Sequence, residues 1–207
     1  MESGAPQLFL EHAAIGVSAI TGVLAARGKR IDLFGVVVLA LVTSFGGGTV
    51  RDVLAGDLPP VWLRTPWYLL NGALVAVLAF FVVRLRNLPR AVLLVADACA
   101  LALFSMLGTR KGVSMHFSSS VSVLLGVVTG VAGGILRDVL LGELPLVFQP
   151  EIHLYATAAL AGSVAYIGLH QAGWTAPEAT FAGAAVAFGL RLAAIRWKLA
   201  LPMLGND

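Results

Sequence analysis

Residues 46–62 read GGGTVRDVLAGDLPPVW, and residues 132–148 read AGGILRDVLLGELPLVF. The offset is 86 throughout, without a gap, and ten of the seventeen aligned positions are identical. Asp57 is answered by Glu143 and Trp62 by Phe148, so charge and bulk persist where identity does not. Such agreement marks an internal duplication. Each copy sets glycines and an Arg-Asp pair inside an apolar run.

The surroundings of the two copies place them in a membrane. The chain has 207 residues, of which 58% are hydrophobic and 12% charged, with a mean hydropathy of +0.90. Soluble domains carry about a quarter charged residues. Half that, with repeated apolar runs near twenty residues, describes a polytopic membrane protein. The net charge of +3 does not imply nucleic acid, because the basic residues sit in short loops beside apolar segments. Cys99 is the single cysteine, which excludes an intrachain disulfide and a cysteine-rich metal site. The opening MESGAPQLFLEH lacks the positive region of a signal peptide, so the first apolar segment is expected to remain as a span.

The pattern predicts seven spans, near 8–26, 33–55, 66–83, 91–108, 117–142, 152–170 and 177–195. Pro59 and Pro60 end the second, since proline cannot continue a helix. Pro66 and Pro177 open the third and seventh at favourable first-turn positions. The expected fold is an all-α polytopic membrane protein, residues 1–207 forming one membrane domain. Residues 8–88 form a first three-helix repeat, 90–171 a second and 175–199 a seventh helix. An odd number of spans per repeat inverts the second relative to the first, as in channels and transporters with a site near the midplane. The seventh span has no counterpart and is expected to be peripheral. Arg27, Lys29, Arg30, Arg84, Arg86, Arg90, Arg191, Arg196 and Lys198 fall on one side, against Arg64, Arg110 and Lys111 on the other. The richer side is assigned to the cytoplasm, with the N-terminus outside and the C-terminus inside.

Chemistry concentrates in the repeated motif. Gly46, Gly47 and Gly48 each cost a helix about 1 kcal/mol against alanine, so the second span is expected to kink or unwind there. Gly133 and Gly134, after Gly130, repeat the break in the fifth span. Freed carbonyls at membrane depth must face protein or water and can replace a cation's hydration shell. Close helix packing by small residues is the other reading. Arg51, Asp52, Arg137 and Asp138 are costly at this depth and belong in the interior or beside a water-filled cavity. Sequence neighbours do not face each other on a helix, so pairing is expected across repeats, Arg51 with Asp138 and Arg137 with Asp52. Glu11 and Asp97, also 86 apart, are candidate partners for these arginines or a cation-attracting lining. Thr43, Ser44 and Thr129 could coordinate a cation or bond back to helix carbonyls. Phe45 is a gate or packing. The four histidines, His12, His116, His153 and His170, show no metal-ligand spacing, and no motif supports enzymatic activity or a cofactor.

At GGGTVRDVLAGDLP and AGGILRDVLLGELP the chain resembles the trimeric intracellular cation channel family in its prokaryotic branch. The resemblance covers spans one to six, and the seventh fits. It implies a homotrimer with a pore in every subunit, carrying monovalent cations, chiefly potassium but also sodium, between the repeats. The second and fifth helices would line it through Thr43, Ser44, Phe45, Gly46, Gly47, Gly48, Thr129, Gly130, Gly133 and Gly134. Arg51, Asp52, Arg137, Asp138, Glu11 and Asp97 would form a gate or charge network. Membrane lipids would be further partners, and a prokaryotic plasma membrane the location. Animal members carry a lysine motif where Thr49-Val50-Arg51 stands here, so the resemblance does not extend their lipid regulation to this chain. The same domain family is also labelled a glycine transporter. A carrier for a small amino acid is thus the alternative, and a lipid-organising trimer a third reading.

Overall fold

The computed structural model describes residues 5–86, 88–149 and 154–199. The described residues are helical without strands: α1 Ala5–Ala25, α2 Leu33–Ala55, α3 Val61–Arg64, α4 Pro66–Leu85, α5 Arg90–Ser114, α6 Ser119–Leu140, α7 Tyr155–Gln171 and α8 Ala176–Trp197. A single 3-10 turn, Leu146–Phe148, stands where α3 stands in the first half. Six of these helices are long and apolar enough to cross a membrane. The exception among the long ones is α7, with 17 residues. The expected start of that span at 152 lies outside the described residues, as does His153. Bulky apolar side chains such as Phe34, Trp67 and Leu85 point outward, as a lipid solvent permits.

Helix boundaries follow local chemistry and repeat with the duplication. Asp32 caps α2 by accepting from Gly35 N–H at 2.8 Å, and Ser118, 86 residues on, caps α6 through Val121 N–H. Gly56 and Gly142 close the turns after α2 and α6 at φ +68°, a left-handed conformation that favours glycine. Thr175 and Glu178 form a capping box at the start of α8. Arg110 and Lys111, expected in a loop, belong to α5, which continues to Ser114 before His116 breaks the chain at φ +59°.

The glycines do not unwind the helices. α2 stays α-helical through Gly46, Gly47 and Gly48, and α6 through Gly130, Gly133 and Gly134. They serve a reciprocal close approach. A Cβ on Gly47 would collide with the Thr129 carbonyl, and a Cβ on Gly133 with the Thr43 carbonyl. Gly22 lies against Ala40 and Thr43 on α2, and Gly108, again 86 on, lies against Thr129 on α6. Small residues thus let backbones touch where lipid supplies no hydrophobic drive for helix association. The small residues of the last two helices meet each other. A Cβ on Gly162 would stand 2.6 Å from the Gly183 carbonyl, and one on Gly183 2.8 Å from the Gly162 carbonyl.

The last helix is less peripheral than expected. α8 packs on α5 and α7, and its Arg191 has no exposed surface. The charge read from sequence as a flanking residue is therefore inside the protein.

Contact at Gly47 predicts a sharp contrast with its neighbour. Gly47→Ala should destabilise the fold by about 1–3 kcal/mol through overpacking. Gly48→Ala should not, because its Cβ would meet nothing nearer than Arg51 Nη2 at 3.8 Å. Thermal unfolding of the purified variants in detergent, followed by circular dichroism, distinguishes the two.

Candidate functional site

Each Arg-Asp pair occupies the end of its glycine helix and folds onto itself. Arg51 donates from Nε to Asp52 Oδ1 at 2.8 Å, and its Nη2 lies 2.8 Å from the same oxygen. Arg137 donates from Nε to Asp138 Oδ1 at 2.7 Å. This corrects the expected cross-repeat pairing. Adjacent residues lie about 100° apart around a helix, and the long arginine side chain spans that arc.

The loop beyond the helix completes the arrangement. Asp57 N–H donates to the Asp52 carbonyl and Glu143 N–H to the Asp138 carbonyl, each at 2.9 Å. The chain then folds back so that Asp52 Oδ2 accepts from Val61 N–H and Asp138 Oδ2 from Leu146 N–H, both at 2.9 Å. The one-residue slip has a simple cause. The counterpart of Leu146 is Pro60, which has no N–H to donate. Pairing across the halves does occur, through the last acid of each motif. Lys29 meets Glu143 at 2.5 Å, and Lys111 reaches Asp57.

Two cavities lie at and beside the α2–α6 crossing. The first, of about 40 Å³, is bordered by Glu11, Ser44, Phe45, Gly48, Arg51 and Asp52, together with Trp62, Tyr68 and Phe104. The second, of about 10 Å³, is bordered by Thr43, Gly47, Asp97, Thr129, Gly130, Gly133, Gly134, Arg137 and Tyr155, again with Phe104. The smaller has room for about one water. Gly46 lies outside both and packs on Leu136. Phe45 stacks on Trp62 with ring centroids 5.5 Å apart.

Thr43 donates to the Leu39 carbonyl at 2.7 Å, and Thr129 makes the same bond to Leu125. Ser44 lies within bonding distance of the Ala40 carbonyl at 2.8 Å and of Ile15 O at 3.1 Å. With their protons committed to carbonyls, these hydroxyls keep oxygen lone pairs as acceptors.

The acids of the two halves diverge. Asp97 Oδ1 accepts from Arg137 Nη1 at 2.9 Å. Glu11 bonds Gln7 and Tyr68 and does not pair with Arg51. Asp97 Oδ2 and Arg137 Nη2 are buried without a hydrogen-bond partner. A Cβ on Gly134 would stand 3.2 Å from Tyr155 Oη and 3.7 Å from both Arg137 Nη2 and Asp97 Oδ1, so this glycine leaves room for the cluster. Arg191 enters from α8, its Cζ 4.7 Å from the Tyr155 ring centroid. The first cluster, Glu11, Arg51 and Asp52, carries one positive and two negative charges. The second has the same set plus Arg191, and is formally neutral.

Phe104, Trp62, Tyr68, Tyr155 and Arg191 are site residues that the sequence reading did not single out. Tyr68 bonds the acid of its own half, and Tyr155 borders the same cavity as Asp97. They lie 87 residues apart, so an 86-residue alignment sets Tyr155 against Leu69. His12 packs edge-on to Tyr68, and His170 stacks on Tyr166. Among the described residues no group of acids, histidines and cysteine could hold a metal ion.

Comparison with known proteins follows the same outline. The glycine transporter family model matches residues 8–84 and 94–171, one match per half. The UPF0126 inner membrane protein YadS of Escherichia coli K12 is 39% identical over 202 residues, covering 96% of each chain. A UPF0126 membrane protein of Deinococcus radiodurans is 40% identical over 186 residues, covering 89% of this chain and 86% of that one. Among solved structures, the orthologue of the trimeric intracellular cation channel from Rhodobacter sphaeroides superposes with a TM-score of 0.87 at 36% identity. That match covers 93% of this chain and 98% of the other. The Caenorhabditis elegans channel, with a TM-score of 0.58 and 19% identity, shares the fold.

The buried network predicts unequal costs. Asp138→Ala strands the Arg137 Nε and the Leu146 N–H, and should destabilise by about 3–5 kcal/mol. Asp57→Asn, at a partly exposed pair, should cost about 1 kcal/mol or less. Hydrogen bonds from Arg64 and then Lys111 hold the Asp57 carboxyl down at about 2, against an ordinary 3.8. Its pairing therefore contributes fully above pH 3.8 and is lost as pH falls through about 2. Thermal unfolding across that window should show a smaller acid-induced loss in Asp57→Asn than in the wild type.

Proposed function

The chain belongs to the prokaryotic branch of the trimeric intracellular cation channel family, whose domain model carries the description glycine transporter, and on that premise we propose that it is a potassium-preferring monovalent-cation channel. The protein is a homotrimer with one pore per subunit. Each pore runs between inverted repeats at 8–88 and 90–171, lined by α2 and α6. These two helices bend at their glycines without unwinding, α7 is the seventh span, and the N-terminus faces outward. A single observation carries this reading: one cavity lies at the Gly47–Gly133 crossing, another lies beside Arg51 and Asp52, and Phe104 borders both.

The chemistry of the route fits a small dehydrated ion. Thr43, Ser44 and Thr129 offer hydroxyl oxygens near the crossing, and the arginines that would repel a cation are held by their own aspartates. Asp97, Asp138, Glu11 and Asp52 make the network rich in acceptors. Phe104 is the apolar barrier between the cavities, and Gly46 keeps α2 close to α6. On this reading the pore is closed, its two small cavities being separated by Phe104. A carrier of glycine is the second reading, favoured by the family description and by the presence of both Arg51 and Glu11 at the first cavity.

Single-channel recording in planar bilayers, under a potassium gradient with an impermeant anion, tests this. Discrete openings reversing near the potassium equilibrium potential are expected. Phe104→Ala should raise conductance or open probability several-fold. Electrical silence together with gradient-driven glycine uptake into liposomes would replace the channel with the carrier.

A further inference from the structure

We propose that the first cavity is a binding site for a small organic ammonium ion of one or two carbons. Its walls are aromatic. Phe45 and Trp62 stack together, Phe104 and Tyr68 stand beside them, and the Trp62 ring is held by donation from Nε1 to Thr49 Oγ1 at 3.0 Å. Aromatic faces attract ammonium groups, tryptophan most strongly. They also bury the methyl groups that such an ion carries, which a bare alkali ion does not have.

Glu11 supplies the charge. One of its oxygens accepts from Tyr68 Oη and the other from Gln7 Nε2 at 3.0 Å. A carboxylate offers about four acceptor positions, so Glu11 retains capacity for an ammonium N–H. Asp52 is already committed, to Arg51 on one oxygen and to Val61 N–H on the other. Among the described residues Glu11 has no salt-bridge partner, which leaves this cavity one negative charge in excess.

Size and charge confine the site to the first cavity. At about 40 Å³ the cavity holds the equivalent of about three waters, each needing roughly 10–15 Å³. The second cavity has room for about one. Its aromatic lining is reduced to Phe104 and Tyr155, with Val131 in place of Phe45 in the repeat, and Arg191 adds a positive charge beside Tyr155. Methylammonium suits the first cavity in both volume and charge.

The test titrates methylammonium chloride into the purified full chain in detergent, with sodium chloride at matched concentration as reference. Calorimetry measures the affinity and Trp62 fluorescence reports the location. Saturable binding that sodium does not reproduce is expected, with a fluorescence change abolished in Trp62→Phe. Glu11→Gln keeps an acceptor for Tyr68 yet removes the charge, and should weaken binding about tenfold. Phe45→Leu removes an aromatic face without touching a charge and should weaken it several-fold. Equal responses to sodium and methylammonium overturn the proposal. So does an affinity unchanged in both folded variants. Binding is read without a gradient, so a failure of conduction and a failure of this site are separate results.

Discussion

Contact between α2 and α6 at backbone distance is the constraint on which the rest depends. Gly47 sits against the Thr129 carbonyl and Gly133 against the Thr43 carbonyl. No side chain fits at either point. Each arginine follows its crossing glycine by four residues, Arg51 after Gly47 and Arg137 after Gly133. Residues four apart share a helix face, so the face that makes the crossing also carries the arginine inward one turn later. Burial of Arg51 and Arg137 is thus a consequence of the packing, and their neutralisation becomes obligatory.

That obligation is met locally. A charge stranded in this environment costs several kcal/mol, and the nearest acid is the next residue. The aspartates in turn need donors, which the loops after Gly56 and Gly142 supply through Val61 and Leu146. The sequence of motif residues therefore describes one unit: glycine for approach, arginine on the same face, aspartate to hold it, a left-handed glycine to reverse the chain, and a backbone N–H to finish the carboxylate. The cross-half ion pairs fall to the outermost acids, Asp57 and Glu143, which lie near the ends of the bundle where lysines reach them.

Much of this was legible from residues alone. The helical class, the duplication and the importance of the glycines and charged pairs follow from an 86-residue offset and a low charge content. Three things did not follow. Glycines in a helix signal equally an opening or a close approach, and only the facing carbonyls decide between them. The i,i+1 rule describes where side chains start, and a flexible arginine ends elsewhere. Arg191 looked like one more basic residue closing an apolar segment, because periodicity does not reveal that α8 turns this face toward Tyr155.

Arg191 also explains how a duplicated protein acquires distinct ends. Two identical halves would make two equivalent cavities, each with one arginine and two acids. The added helix has no counterpart to break the tie on the other side. Its arginine cancels the excess negative charge of the second cluster and leaves that of the first intact. Buried charges are screened far less than exposed ones, so a single guanidinium placed there sets one cavity's charge apart from the other's. Shape diverges in the same direction: Phe45, Trp62 and Tyr68 line the larger first cavity, whereas Tyr155 and Arg137 border the smaller second. Duplication supplied the scaffold and the crossing; the unpaired helix made the two cavities chemically different.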